Sequence, residues 1–264
     1  PDSLLMFEFT AATINLRGRT QRWLARRHLL VGQIVDRLPD IIALQEIDLS
    51  IGQGRWVARQ VNIRLSGDGK NPYRIIQVRR PGFRHFSHAI GIMSRMPIIY
   101  HDTIFVGYDG VACRANIELP AGAAGTRRQS LDFVSVQLHH GAAAGEARLE
   151  QAMNLVGWLN EKKRVPLQVI AGDFNEMPES GSVNFMRQTY RSAVAEHRGR
   201  DIYATYPTNL VQPQPVPAAC LDYVFLSPAV YRVTRAGLFA DKAAFDDDTL
   251  YPSDHVGLLV GLEV

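Results

Sequence analysis

Apolar residues recur along the chain in two distinct patterns. Apolar side chains at helical spacing predict helices over residues 20–37, 55–65 and 145–162, and Pro39 closes the first of them. Turns and loops are predicted at 67–72, at a polar hairpin tip over 120–130 and at a proline-containing segment over 208–218. Short apolar runs predict strands over residues 4–16, 41–46, 73–78, 89–94, 98–106, 112–119, 131–138, 167–172, 221–227 and 256–264.

Strands therefore outnumber helices, and both types are interleaved along the whole chain. No repeat of fixed period occurs, and no linker-like stretch divides the sequence. We expect one α+β domain over residues 1–264, in which helices cover the faces of sheets.

Net charge narrows the choice of partners only slightly. Lys and Arg number 29 against 26 Asp and Glu, which gives a net charge of +3 and a pI near 9.0. Arginines cluster over residues 17–27 and 79–84. Such clusters favour anionic partners such as nucleic acid or phospholipid headgroups, but solvated helix faces are the simpler explanation.

Cysteine content and hydropathy bear on the compartment. Cys113 and Cys220 are too few and too far apart for a disulfide framework, so we expect two reduced thiols. No stretch is apolar enough for a transmembrane helix, and no signal peptide is visible. These features favour a cytoplasmic location, although the chain starts at Pro1 and its first segment could have been trimmed. We expect a monomer.

Polar residues lie at the ends of apolar strands repeatedly along the chain, either after a strand or just before it. Such groups are costly to bury without partners, so strand ends that converge would form one polar cleft. Carboxylate and amide oxygens suit a hard cation such as Mg²⁺ or Mn²⁺, and a histidine held by a carboxylate can take a proton from water. The residues in question are Asn15, Gln45, Glu46, His139, His140, Asp173, Asn175, Asp222, Asp254 and His255.

Other catalytic signatures do not occur. The sequence has no Cys/His spacing typical of structural zinc, no nucleophile elbow, no phosphate-binding Walker loop and no Rossmann glycine fingerprint. Metal-assisted hydrolysis by an activated water is the chemistry that the polar strand ends indicate.

Seven segments resemble the endonuclease/exonuclease/phosphatase superfamily, whose fold is that of deoxyribonuclease I. They occur in the family's order from Asn15 to His255, and GDFN and SDH are the most specific. The segments are ATINLRG, IIALQEID, GIMSRMPI, FVSVQLHH, VIAGDFNEMP, CLDYVFLS and YPSDHVGLL.

The resemblance implies a four-layer α/β/β/α sandwich with two packed, mixed but mainly antiparallel sheets. It implies metal binding by Glu46, with Asn15 and Asp254 nearby. It also implies a phosphate-contacting His139, of which His140 is the alternative, and a phosphate contact from Arg114. It further implies that His255 is the essential histidine and that Asp222 orients it. Asp173 and Asn175 would position the water or the phosphate.

The function expected from the resemblance is Mg²⁺- or Mn²⁺-dependent hydrolysis of a phosphodiester, as in a nuclease. Either Asp173 or the His255–Asp222 pair would take the proton from water. The first alternative is a lipid or small-molecule phosphoesterase, such as a sphingomyelinase-like enzyme, for which the segment 105–111 would supply an apolar patch. The second is a catalytically silent binding protein with the same fold.

Overall fold

The computed structural model describes residues 7–81, 87–120, 129–141, 144–161, 165–213 and 217–264. The helices are α1 (Trp23–Arg37), α2 (Gln53–Leu65), α3 (Gly145–Glu161), α4 (Gly181–Arg187) and α5 (Ala193–Arg198). The strands are β1 (Glu8–Asn15), β2 (Ile41–Asp48), β3 (Arg74–Arg79), β4 (His88–Ser94), β5 (Ile98–Gly107), β6 (Gly110–Glu118), β7 (Ser130–Gln137), β8 (Gln168–Asp173), β9 (Arg191–Ser192), β10 (Asp222–Leu226), β11 (Arg232–Phe239) and β12 (Gly257–Glu263).

The strands form two six-stranded sheets of matching design. The β1 sheet has the order β11-β12-β1-β2-β4-β3, and the β7 sheet has the order β5-β6-β7-β8-β10-β9. Each sheet has one parallel pair at its centre, β1 with β2 and β7 with β8, and its other neighbours are antiparallel. The parallel pairs require crossover connections, which α1 and α3 provide.

Three apolar clusters hold these elements together as four layers. Side chains from the facing sides of the two sheets, such as Ala43 and Phe133, form the central cluster. Leu30 of α1 and Val61 of α2 pack against the outer side of the β1 sheet. Leu155 of α3 packs against the outer side of the β7 sheet, together with residues of α4. This is the predicted α/β/β/α sandwich, and it confirms the fold class.

Most predicted elements are present, with shifted ends. Strand β2 continues two residues beyond the predicted end at residue 46, through a bulge between Leu44 and Ile47. The first residues of the strand predicted over 4–16, most of the hairpin tip predicted over 120–130, the last residue of the helix predicted over 145–162 and the centre of the loop predicted over 208–218 lie outside the described residues.

The sequence patterns missed α4, α5, β9 and β11. The two helices span only seven and six residues, too short for a helical period to stand out, and β9 has two residues. Strand β11 lies at the edge of its sheet, is half-buried and carries a bulge between Val233 and Arg235, so its side chains do not alternate cleanly. Both cysteines are free and buried, as expected. None of the helices within the described residues is long and apolar enough to cross a membrane.

A buried arginine on α1 shapes the loop that leaves β1. The side chain of Arg26 is fully buried and donates hydrogen bonds to main-chain carbonyls at both sides of the site, including Leu16 at 2.8 Å, Gly18 at 2.7 Å and Pro252 at 2.9 Å. Burial lowers its pKa to about 10, which leaves it charged at neutral pH. Arg26 therefore holds the segment after Asn15 against the segment before Asp254.

Substitution of Arg26 by methionine should destabilise the protein by about 3 to 5 kcal/mol, because several buried carbonyls lose their donors at once. Urea unfolding measures the free energy of unfolding. The matched control is Arg27→Met on the same helix, since Arg27 is half-exposed and stacks over Trp56 at 4.6 Å. That change should cost about 1 kcal/mol or less. Equal losses for the two variants would contradict this role of Arg26.

Candidate active site

The carboxyl ends of the two central parallel pairs meet at one edge of the sandwich. Strand β1 ends there in Asn15, β8 ends there in Asp173, and β2 carries Glu46 two residues before its end. The Asn15 side-chain nitrogen donates to Glu46 Oε1 at 3.2 Å and to Asp173 Oδ2 at 3.0 Å. One amide therefore connects a carboxylate of the β1 sheet with a carboxylate of the β7 sheet.

Glu46 occupies an unusual backbone conformation. It lies in the bulge of β2 with φ of 49°, a left-handed value that is rare for residues other than glycine and that redirects its side chain. Glu46 Oε1 also accepts a hydrogen bond from Gln137 Nε2 at 3.3 Å. Burial favours a higher pKa for Glu46, but the hydrogen bond from Asn15 and the charge of Arg17 hold the pKa below its usual value. Glu46 is therefore ionised at neutral pH.

His255 and Asp222 form a buried pair. His255 Nδ1 lies 2.9 Å from Asp222 Oδ2, and both side chains are almost inaccessible to solvent. The ring of Tyr206 packs against the imidazole with 4.8 Å between centroids. Burial by itself lowers the pKa of His255, but the Asp222 carboxylate outweighs burial and raises the pKa to about 10.

Asp173 lies directly beside this pair, because it is the register partner of Asp222 between β8 and β10. Burial, opposed by the charge of His255 and reinforced by that of Asp222, raises the pKa of Asp173 to about 7. Asn175 follows with φ of 52°, and its backbone nitrogen donates to Asp173 Oδ1 at 2.9 Å. The Asn175 side chain is held by the carbonyl of Leu138, at 3.0 Å.

Asp254 is fully buried on the loop before β12. Its Oδ1 accepts a hydrogen bond from Ser253 at 3.2 Å, and its Oδ2 lies 3.1 Å from Arg17 Nε. The second contact is an ion pair without hydrogen-bond geometry. Asp254 thus faces the loop that Arg26 organises, on the β1-sheet side of the site.

His139 is oriented by residues that the sequence patterns missed. His139 Nδ1 lies 2.6 Å from Asp109 Oδ1, and the buried Arg80 lies 3.0 Å from the other oxygen of Asp109. Arg80 also donates to Gln137 Oε1 at 3.1 Å. It therefore connects Asp109, which contacts His139, with Gln137, which contacts Glu46. His140 is more exposed and lies 3.6 Å from Asp109. This geometry favours His139 over His140 as the histidine of the site.

Sequence alone offered little to identify Asp109 and Arg80. Asp109 occupies the turn between β5 and β6, where Asp is common for conformational reasons alone. Arg80 follows the edge strand β3 within an arginine cluster, where a solvated position is the simplest interpretation. Only the packing of the two sheets brings these residues to His139.

Arg114 lies away from this group. Its guanidinium is fully buried, donates to Asp102 Oδ1 at 2.9 Å, lies 3.6 Å from Asp132 and stacks 4.7 Å over the ring of Trp158. Its register partner Val134 precedes Gln137 by three residues, or roughly 10 Å along the strand. Arg114 therefore stabilises the α3 side of the β7 sheet, and its placement does not support the predicted contact with phosphate.

The acidic and histidine groups at this edge could hold a metal ion. Asp173, Asp222 and His255 each offer a ligand atom, and these atoms lie within 4.8 Å of one another. Asp222 Oδ1 is buried and accepts no hydrogen bond from any described residue. Such an atom calls for a cation or a water molecule. Asn15, by contrast, uses its amide oxygen to accept from the Arg17 backbone nitrogen at 2.9 Å, so here it acts as a link between carboxylates.

The chain belongs to the Endonuclease/Exonuclease/phosphatase family, whose family model matches residues 12–255. The match runs from β1 to the histidine before β12, so it includes every residue of the site described above. A comparison with curated proteins found no significant match.

Solved structures with the same fold cover nearly the whole chain. A family protein from Bacteroides vulgatus has a TM-score of 0.75 and 18% identity, covering 98% of this chain and 99% of that chain. A mannosyl-6-phosphatase of Bacteroides thetaiotaomicron has a TM-score of 0.74 and 18% identity, covering 96% and 99%. TDP2 of D. rerio, complexed with a single-strand DNA product, has a TM-score of 0.72 and 17% identity, covering 97% and 99%. These similarities establish the fold.

Replacing Glu46 by glutamine should weaken Mn²⁺ binding by at least about tenfold, because a neutral amide is a poorer ligand for a hard cation than a carboxylate. Isothermal titration calorimetry of the purified protein measures the dissociation constant. Glu150→Gln, an exposed position on α3, is the matched control and should bind Mn²⁺ like the unaltered protein. Unchanged affinity in Glu46→Gln would exclude Glu46 as a metal ligand.

Proposed function

We propose that the protein is a Mg²⁺- or Mn²⁺-dependent phosphodiesterase that cleaves its substrate with an activated water. One observation carries this proposal. The buried His255–Asp222 pair, Asp173 and Glu46 form one group at the meeting edge of the two sheets, with Asn15 bridging Glu46 and Asp173. Family membership supports hydrolysis of a phosphate ester as the chemistry of this group.

In this proposal Glu46 holds the metal ion, with the carboxylate of Asp254 close to the same side of the site. The ion supplies neutralisation of phosphate charge when it is bound. Asp222 keeps the imidazole of His255 in one orientation through Nδ1, so that Nε2 remains available to the phosphate or to water. His139, held by Asp109, provides a second imidazole at the opposite side. Asn175 adds an amide whose backbone is pinned to Asp173.

The sequence left two acceptors open for the proton of the attacking water, Asp173 and the His255–Asp222 pair. A pKa raised to about 10 keeps His255 protonated at neutral pH, which favours Asp173, whose pKa is raised only to about 7. Asp173 lies at the end of β8 between Asn15 and Asn175, and His255 lies beside it with Asp222 as its partner. Transition-state charge on the phosphate oxygens would be stabilised by the remaining imidazole and amide donors. Comparing the pH–rate profile of Asp173→Asn with that of the unaltered enzyme identifies the acceptor.

A specific feature favours a lipid phosphoesterase as the second candidate. Tyr108 and Phe105 at the β5–β6 hairpin are 67% and 59% exposed, and the Tyr108 ring lies 6.0 Å from that of His139. Exposed aromatic side chains beside a site are suited to an apolar surface such as a lipid interface. Such side chains are equally suited to stacking on a nucleic acid base. A comparison of activity on lipid and nucleic acid substrates therefore distinguishes the two candidates.

His255→Ala should lower kcat roughly 10²- to 10⁴-fold on the true substrate, because it removes a group that exchanges protons with the reacting centre. The assay compares single-stranded and duplex DNA, RNA, bis-p-nitrophenyl phosphate, p-nitrophenyl phosphate, inositol phosphates and sphingomyelin vesicles, each with Mg²⁺, Mn²⁺ or EDTA. His101→Ala, at an exposed position of β5, is the control and should retain full activity.

The outcomes separate the candidates. Metal-dependent turnover of nucleic acid or bis-p-nitrophenyl phosphate, lost in His255→Ala, supports the phosphodiesterase. Turnover of sphingomyelin alone would replace it with the lipid phosphoesterase. Absence of turnover on every substrate, together with Mn²⁺ binding that depends on Glu46, would favour a binding protein with this fold.

A further inference from the structure

A concave surface lies beside the active site, on the outer side of the β1 sheet. We call it the Arg–Trp cavity, and it is lined by Arg19, Arg22, Leu24, Arg27, Ile51 and Trp56. Its volume is about 640 Å³, within the range of small-ligand pockets. Residues from the start of α1 and the start of α2 form its walls.

The cavity is connected to the site by short hydrogen bonds. Gln53, which also lines it, donates to the carbonyl of Gly18 at 2.6 Å, and the Gly18 nitrogen donates to the carbonyl of Glu46 at 2.8 Å. The same loop carries Arg17, which pairs with Asp254, and then Arg19, which enters the cavity wall. A polymeric substrate at Glu46 could therefore continue into this cavity.

The cavity carries more positive charge than its acidic neighbours neutralise. Arg19 pairs with Asp48 and Arg22 with Asp247, while Arg27 has no acidic partner among the described residues. The Arg27 Nε atom is buried and has no hydrogen-bond acceptor among the residues that the structure describes. Neither α1 nor α2 has an acidic residue in its first turn or a side-chain N-cap. An anion is the ligand that satisfies all of these groups.

Apolar and aromatic surface accompanies this charge. The Arg27 guanidinium stacks 4.6 Å from the centroid of Trp56, and the ring of Trp23 meets Trp56 edge-on at 5.9 Å. Leu24 is 71% exposed and Ile51 is 41% exposed at the rim. Planar guanidinium and apolar groups next to arginines offer an unpaired base a stacking surface and its phosphate a charge partner.

From these observations we infer that the Arg–Trp cavity binds a phosphate and its attached base in a single-stranded nucleic acid, outside the site of cleavage. The inference rests on the proposed phosphodiesterase function and assigns it a substrate class. A duplex is a poorer fit, because its bases are paired and cannot enter a concave cavity. Substitutions of Arg27 and Leu24 best distinguish binding in this cavity from general electrostatic attraction to the protein surface.

Binding is measured by fluorescence anisotropy of a labelled single-stranded oligonucleotide of about 12 nucleotides in EDTA, so that cleavage plays no part. Leu24→Glu places a negative charge at the rim of the cavity, and Arg27→Gln removes the guanidinium that has no acidic partner among the described residues. Each should weaken binding about tenfold, and Arg27→Gln should also reduce the salt slope by about 0.7, as expected for one lost phosphate contact.

Matched controls carry the same change of charge elsewhere. Ile63→Glu lies at a 53% exposed position near the other end of α2, and Arg37→Gln lies at an exposed position in the last turn of α1. Both controls should bind within about twofold of the unaltered protein. Leu24 is exposed and near the start of its helix, where an acid is favourable, so Leu24→Glu should fold normally.

Distinct results would overturn the inference. Equal weakening in the cavity variants and the controls would show general attraction only. Absence of oligonucleotide binding by the unaltered protein would also exclude it, even if bis-p-nitrophenyl phosphate were hydrolysed and the proposed function stood. A third contradicting result is that Arg27→Gln and Leu24→Glu lose binding to vesicles of phosphatidylserine and phosphatidylcholine but keep their affinity for the oligonucleotide.

Discussion

The side-chain amide of Asn15 joins the two sheets where their central strands end. It donates to Glu46 of the β1 sheet and to Asp173 of the β7 sheet, and both carboxylates would repel each other without it. Buried carboxylates are tolerated only when donors or opposite charges surround them. The rest of the site follows this constraint. Gln137 supports Glu46, the Asn175 backbone supports Asp173, and His255 carries the positive charge between Asp173 and Asp222.

The strand order of the two sheets brings these groups together. Two sheets of matching strand order place their parallel pairs back to back, so the carboxyl ends of four strands meet at one edge. Two arginines then hold the loops at this edge. Arg26 gathers the carbonyls of the segments that carry Arg17 and Asp254, and Arg80 connects Asp109 with Gln137. Each arginine fixes the position of groups that would contact a substrate, although neither needs to contact one itself.

Substrate choice within this family fold rests on surfaces outside the shared chemistry. Two such surfaces flank the site here. The β5–β6 hairpin presents Tyr108 next to His139, and the Arg–Trp cavity lies beyond the loop that carries Arg17. Under the proposed function, a strand of nucleic acid would contact both surfaces and pass over Glu46 between them. The two flanks would then select for a polymeric phosphodiester, and the buried residues would carry out its hydrolysis.

The sequence by itself determined the fold class, the family and the set of polar strand ends. These features are local, because apolar period predicts strand or helix, and motifs such as GDFN and SDH are contiguous. It failed where partners come from distant segments. Asp109 was an ordinary turn residue until the sheets placed it 2.6 Å from His139, and Arg114 was a candidate for phosphate until Asp102 and Asp132 were seen beside it. Only tertiary structure decides such pairings, because the energy of a buried charge depends on what surrounds it in space and not along the chain.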